Sequence, residues 1–304
     1  MASDSPTPLR SVLYMPASNA RAVAKARGLD CDAVVLDLED AVAPAMKASA
    51  RTALVAEAQA GGFGHRRLLA RINALADGGE DDLAVLAAAP LDAVLAPKVD
   101  DAADVAALSA AMDRLGYAPA VALWVMIETP RAALAVERIA DMAATTRLAA
   151  LVLGLNDLAK DTGMVQAPGR AAFVPVLSAT LLAARANGLV ALDGVCNAID
   201  DGTRLEEECA QARAFGYDGK TLIHPSQLPV ANRAFAPSPQ DLAEAEAIVA
   251  AFADPAHADA GALRVNGRMA ERLHRDMALR LIAQAAAIAA RSPAPPHAES
   301  GPSI

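Results

Sequence analysis

Eight short apolar runs recur along the chain, each followed by a longer Ala-rich stretch with helical spacing. They cover 11–15, 33–37, 68–72, 93–96, 121–127, 148–153, 189–193 and 219–223. Continuous apolar runs, without strict alternation, mark strands buried on both faces, as in a parallel sheet clothed by helices. Eight strand–helix units in about 225 residues predict a (β/α)8 TIM barrel, an α/β fold. The competitor is a doubly wound sheet, which needs no eighth strand and favours a Gly-rich phosphate turn after the first one. The first run is followed by Pro16-Ala-Ser-Asn19, which is not such a turn.

Polar residues fall where the runs end: Asp37-Leu-Glu39-Asp40, Arg71-Ile-Asn73, Lys98, Glu128-Thr-Pro130, Asn156-Asp157, Asp193 and His224-Pro225. In a (β/α)8 barrel the C-terminal strand ends carry the active site. Carboxylates and an arginine are therefore expected to converge on one mouth. After Gln227 the pattern changes. Prolines 229, 237 and 239 interrupt, then 240–253 and 268–291 read as helices, with 254–261 a loop. Met269, Leu273, Met277, Leu281 and Ile288 would share one face of the second helix. The expected organisation is a flexible N-terminus over 1–8, a barrel over 9–235, a C-terminal helical extension over 236–291, and a disordered, Pro-rich tail over 292–304.

Composition narrows the class of partner. The chain of 304 residues is 54% hydrophobic, only 3% aromatic, and carries a formal net charge of −9. That balance suits a globular protein and argues against nucleic acid, which needs a basic face. No uncharged apolar stretch is long enough to suggest a membrane span. The first eight residues hold no apolar core of a secretory signal. The three cysteines, Cys31, Cys196 and Cys209, form no CxxC pair. A cytoplasmic enzyme is the simplest expectation.

Glu128 and Asp157 follow the fifth and sixth runs. Adjacent strands lie about 5 Å apart, so two carboxylates at neighbouring ends can share one cation. Two carboxylates completed by waters is a Mg2+ pattern. The alternative is that each caps the helix beginning beside it, Glu128 before Pro130. Asp37, Glu39 and Asp40 form an acidic cluster that needs a cation, an arginine or a hydrogen-bond network to offset repulsion. They could orient water around a metal, or Glu39 could belong to a solvated loop. Arg71 ends an apolar run, where an unpaired charge is costly. It could bridge to the acidic cluster, bind a carboxylate or a developing oxyanion, or do both. Arg21 and Lys25, one helical turn apart after the first run, suit a phosphate tail or simply form a solvated face. His224 reads as a structural hydrogen-bonder. No GxSxG, HxxxH or HExxH occurs, and Lys98 as a Schiff-base lysine is less economical than the acidic pair.

These segments carry a resemblance. Ser-Val-Leu-Tyr-Met-Pro-Ala-Ser-Asn (11–19), Val-Leu-Asp-Leu-Glu-Asp-Ala-Val (35–42), Ala-Arg-Ile-Asn (70–73) and Pro-Lys-Val (97–99) resemble the citrate lyase β-subunit and malyl-CoA lyase family of CoA ester lyases. So do Ile-Glu-Thr-Pro-Arg-Ala (127–132), Gly-Leu-Asn-Asp-Leu-Ala-Lys-Asp (154–161) and Gly-Tyr-Asp-Gly-Lys-Thr-Leu-Ile-His-Pro-Ser-Gln (216–227). The likeness runs from about residue 9 to 290.

The resemblance implies a Mg2+-dependent barrel, a homo-oligomer (trimer or dimer of trimers), that cleaves or forms carbon–carbon bonds in 3-hydroxyacyl-CoA thioesters such as malyl-CoA or citramalyl-CoA. It implies Glu128 and Asp157 as metal carboxylates, Arg71 as the substrate arginine, and the region of Arg21 and Lys25 as the CoA phosphate site. Family CoA lyases often carry Gly-x-Met-Ile-Asp near the C-terminus, whose Asp reaches a neighbouring subunit's site as acid/base. This chain has Gly267-Arg-Met-Ala-Glu271, a carboxylate one methylene longer. The alternatives are a class II aldolase for pyruvate-derived hydroxyacids without CoA, a citrate lyase β-subunit using an acyl-carrier-protein thioester, and a silent scaffold.

Overall fold

A computed structural model describes residues 8–257 and 259–291. The expected N-terminal segment, apart from Pro8, and the expected tail over 292–304 lie outside the described residues. Clustering of the fold separates a barrel unit, 9–234, from a C-terminal unit that begins at Phe235.

The barrel strands are β1 (Ser11–Pro16), β2 (Ala33–Asp37), β3 (Arg67–Arg71), β4 (Ala93–Ala96), β5 (Ala122–Ile127), β6 (Leu148–Leu153), β7 (Val190–Asp193) and β8 (Gly219–Leu222). Every strand lies parallel to its neighbours, and β1 pairs with both β2 and β8, closing the barrel. The eight expected runs are these strands to within a residue or two at either end, and the doubly wound alternative is excluded. The helices of this unit are α1 (Ala20–Ala26), α2 (Lys47–Ala60), α3 (Gly79–Leu86), α4 (Ala102–Arg114), α5 (Pro130–Asp141), α6 (Leu155–Thr162), α7 (Val174–Ala186), α8 (Gly202–Phe215) and α9 (Leu228–Ala234).

Successive strand residues point to opposite faces, so one set fills the barrel and the other packs beneath the helices. The inner set includes Val12, Val35, Leu69, Leu95, Trp124 and Val152, all at most 1% exposed. Continuing the alternation by two residues, or by four past Trp124 through Met126, brings Tyr14, Asp37, Arg71, Glu128 and Gly154 to the C-terminal mouth. The outer set is mostly apolar, with Ser11 of β1 bonded to Asn232 of α9 and a cluster of charges beneath β7 and β8. There Lys220 on β8 donates to Asp193 at 2.7 Å and lies 3.1 Å from Glu208 of α8. Arg170 donates to both Asp193 oxygens at 2.8 and 2.9 Å. Asp193 was expected at the mouth; instead it is sealed in this outer ionic seam, 0% exposed. Among the described residues no helix is long and apolar enough to cross a membrane.

The C-terminal unit holds α10 (Pro239–Ala253), β9 (Ala262–Val265), β10 (Arg268–Glu271) and α11 (Arg272–Ala289). Ser238 caps α10 through a reciprocal capping box with Asp241. The expected helix over 268–291 is corrected at its start. Residues 268–271 pair antiparallel with β9, Val265 opposite Arg268, across a two-residue Asn266-Gly267 turn. Both turn residues have positive φ, 49° and 81°, the requirement of a type I′ hairpin. Met269 therefore lies on a strand and not on the helical stripe of Leu273 and Met277.

Candidate functional site

A cavity of about 350 Å3 opens at the C-terminal mouth of the barrel. Among its lining residues are Tyr14, Asp37, Asp40, Arg71, Glu128 and Asp157. Strand alternation thus gathers residues that lie more than 140 positions apart in sequence.

Arg71, at the last position of β3, stands beside Asp37, the last of β2, in the strand register. Its fork grips Asp37 through both oxygens, Nε to Oδ1 at 2.7 Å and Nη2 to Oδ2 at 2.6 Å. Nη1 lies 2.6 Å from Glu39 and 3.5 Å from Asp40. The guanidinium also sits over the Tyr14 ring, 4.9 Å from its centroid. Burial opposes its charge, but the hydrogen bonds and charge of Asp37 outweigh that, so the Arg71 pKa is raised. Of the two roles left open for Arg71, bridging the acidic cluster is visible directly, and the side chain still lines the cavity.

The acidic cluster is not uniform. Asp37 is buried and also accepts from the backbone N–H groups of Glu39 and Ala41, which fixes the loop after β2. Glu39 is only 9% exposed, so the solvated-loop alternative fails for it. Burial pushes the Glu39 carboxyl up to about 7, and Arg71 pulls the other way. Asp40 is exposed.

Glu128 follows β5 directly and is completely buried. It does not cap the next helix; Thr129 does, accepting from the Ala132 N–H. Asp157 lies in the first turn of α6, whose N-cap position is Gly154, so the capping alternative fails there too. Glu128 Oε1 accepts from the Lys98 backbone N–H at 2.8 Å. Glu128 Oε2 is buried with no hydrogen-bond partner, a costly condition for a carboxylate. Burial raises the Glu128 pKa, opposed by the Lys98 charge. Gly154 makes this packing possible, because a Cβ there would overlap the Glu128 side chain.

Sequence reasoning set Lys98 aside, yet it stands at the centre of the site. Its Nζ is 2.7 Å from Asp157, 3.2 Å from Glu128 and 3.9 Å from Glu39. The two carboxylates expected to share one cation are thus within reach of one point of positive charge. The residues fit a divalent ion: two carboxylates, an orphaned buried oxygen, and an excess of acidic over basic groups around the cavity. Among the described residues no three acidic, His or Cys side chains gather closely enough to hold a metal by themselves. A hard cation there would keep open positions for water or substrate.

Arg21 and Lys25, expected at the site, do not line the cavity. They are exposed on α1, which Asn19 caps through the Ala22 N–H. Glu271 caps α11 in the C-terminal unit, and its N–H donates to His274 Nδ1 at 2.9 Å. His224 is a structural hydrogen-bonder, paired with Ser226 at 2.7 Å. The sequence pattern alone did not single out Tyr14, although its place two residues after the inner-facing Val12 puts it on the inner face.

Comparison with known proteins adds to this geometry. A model of the HpcH/HpaI aldolase/citrate lyase family matches residues 10–225. A (3S)-malyl-CoA thioesterase of Cereibacter sphaeroides is 44% identical over 284 residues, covering 93% of this chain and 96% of that protein. A citrate lyase subunit beta-like protein of Deinococcus radiodurans is 32% identical, covering 88% and 93%. The crystal structure of the protein CitE from Mycobacterium tuberculosis, in complex with magnesium, acetoacetate and coenzyme A, is 34% identical. It aligns with a TM-score of 0.72 over 92% of this chain and 98% of that one.

Proposed function

Because the chain belongs to the HpcH/HpaI aldolase/citrate lyase family, we propose that it is a Mg2+-dependent enzyme cleaving a malyl-CoA-class thioester. The observation that carries this reading is the cavity in which Arg71, Glu128 and Asp157 meet. The magnesium in the CitE structure and the malyl-CoA name of the 44% identical relative support it.

Glu128 and Asp157 would hold the metal, which supplies Lewis acidity toward the carboxylate and hydroxyl of the acyl group. The chain's own residues do the rest. Arg71, locked by Asp37, offers a fixed positive edge to the oxygen on which charge develops. In carbon–carbon cleavage the hydroxyl gives up its proton and becomes the carbonyl of a 2-oxoacid. The electron pair of the broken bond passes to the thioester as an enolate. A carboxylic acid then protonates that carbon, the role proposed for Glu271 of a neighbouring copy in a homo-oligomer. Arg21 and Lys25 are proposed to meet the CoA phosphates. Three buried, unpaired cysteines suit a cytoplasmic setting.

A second reading is thioester hydrolysis, in which water adds to the acyl carbon and the CoA thiol leaves. The named activity of the 44% identical relative favours it. Hydrolysis needs no acid at carbon, so it asks nothing of Glu271. One assay separates the readings. Purified protein with Mg2+ and (3S)-malyl-CoA yields glyoxylate and acetyl-CoA by cleavage, or malate and free CoA by hydrolysis. If none of these products forms from malyl-CoA or citramalyl-CoA, the proposal falls. Glu128→Gln and Asp157→Asn should each lower activity by at least about 100-fold.

A further inference from the structure

Lys98 is an unusual residue to find between two carboxylates. Its φ is 53°, the left-handed region, in a residue that is neither Gly nor Asn. The backbone N–H held by Glu128 Oε1 keeps it there. The chain thus accepts local strain to deliver a backbone donor and an ammonium to the same carboxylates. The side chain as a whole is one-third exposed, although its Nζ is buried between the carboxylates. Charge counting around the mouth explains what the ammonium does. Among the described residues the side-chain ion-pair partners of Asp37, Glu39, Asp40, Glu128 and Asp157 are Arg71 and Lys98. Arg71 is committed to Asp37 and Glu39, and the nearby Lys47 ammonium donates to the Leu38 and Glu39 carbonyls and Asn73. Lys98 is therefore the charge that holds Glu128 and Asp157 together when no other cation is present. The ammonium sits on Glu128 Oε1 and Asp157 Oδ1. A divalent ion held by the same two carboxylates, with the orphaned Glu128 Oε2 among its ligands, would face it across them, so the two positive charges repel and compete for the pair.

We infer that Lys98 is a tethered counter-ion of the Glu128–Asp157 pair that competes with the divalent cation and swings clear when the metal binds. Two consequences follow. The metal-free site stays ordered, because the carboxylates do not repel each other. Metal affinity is lowered, because binding must first break two charge-assisted contacts. The released ammonium is then free to meet an anionic group of the substrate. The inference rests on Glu128 and Asp157 being the cation's carboxylates, and its test uses no substrate.

Mg2+ binding is measured by titration calorimetry on the full chain, with folding checked by circular dichroism and thermal melting. Lys98→Met keeps the stem and removes the charge. It should bind Mg2+ about tenfold more tightly. Its metal-free melting temperature should fall, and its Mg2+-induced rise in melting temperature should exceed that of wild type. A folded Lys98→Met protein with unchanged or weaker Mg2+ affinity overturns the inference. A measurement on wild type covers a variant that does not fold: acetylation of Lys98 by acetic anhydride, followed by peptide mass spectrometry. Mg2+ should increase labelling at Lys98 at least about threefold while other lysines hold steady, since a side chain released from its carboxylates becomes accessible to the reagent. Unchanged or reduced labelling overturns it. Glu128→Gln separates the two levels. If that variant abolishes Mg2+ binding while Lys98→Met leaves affinity unchanged, competition alone is wrong. If wild type binds no Mg2+ at millimolar concentration, the cation site itself is wrong, and the inference falls with it.

Discussion

At the scale of single residues, the site is a set of charges whose partners are fixed by strand register. Arg71 and Asp37 face each other because β2 and β3 run in register to their last residues. Lysine at position 71 keeps the charge but loses the planar fork. Arg71→Lys should lower turnover at least about 100-fold and cost roughly 1–3 kcal/mol of stability, since Asp37 stays buried with a poorer partner. Turnover together with urea unfolding checks both; an enzyme as active as wild type would reduce Arg71 to a structural clamp. Glu39 gives a pH signature. Its folded carboxyl holds a proton up to about pH 7, against an ordinary value of 4.5. The folded state therefore binds more protons between those values, and Glu39's contribution makes the metal-free protein less stable as pH rises through that window. Glu39→Gln should flatten the slope in denaturation curves taken from pH 5 to pH 8. Most of these residues were legible as polar punctuation at the ends of apolar runs. Their pairings were not. Whether Glu39 is solvated or buried, and which carboxylates Lys98 reaches, depends on loop paths that no spacing encodes.

At the scale of elements, all eight strands could be read because parallel strands buried on both faces leave unbroken apolar runs. The helix starts were left open: capping stood as the alternative for Glu128 and Asp157, and the structure puts Thr129 and Gly154 at those cap positions instead. The hairpin of β9 and β10 was missed altogether, although Asn266-Gly267 is a strong turn signal. A helical stripe of Met269, Leu273 and Met277 competed with it, and apolar residues four apart fit both patterns over so short a stretch. Gly154 joins the end of β6 to α6 and shows how tightly an element junction can set the site. Gly154→Ala would drive a methyl group into Glu128. The expected result is at least tenfold weaker Mg2+ binding, on the order of 1.4 kcal/mol or more. The fold itself should persist, as read by circular dichroism. Unchanged Mg2+ affinity would mean that the carboxylate can shift without loss.

At the scale of the whole molecule, the barrel unit contains the cavity and the C-terminal unit contains Glu271. Closed symmetric assemblies allow one copy to complete another's site. Mixing tests this for Glu271. Glu271→Ala and Arg71→Ala chains should each be nearly inactive, and co-refolded mixed oligomers should regain part of the activity. Mixed oligomers with no recovery, or a fully active Glu271→Ala enzyme, would exclude a shared site.

The outer ionic seam also bears on how the chain is made. Asp193 arrives with β7, but its partner Lys220 arrives with β8, the strand that also bonds to β1. A nascent chain that has only reached β7 carries an open sheet edge at both ends, and Asp193 has Arg170 alone to balance it. Sealing that charge and closing the circle are one event, and it waits until β8 has left the ribosome. Partial barrels on the ribosome are therefore intermediates with unsatisfied edges, the species that chaperones shelter.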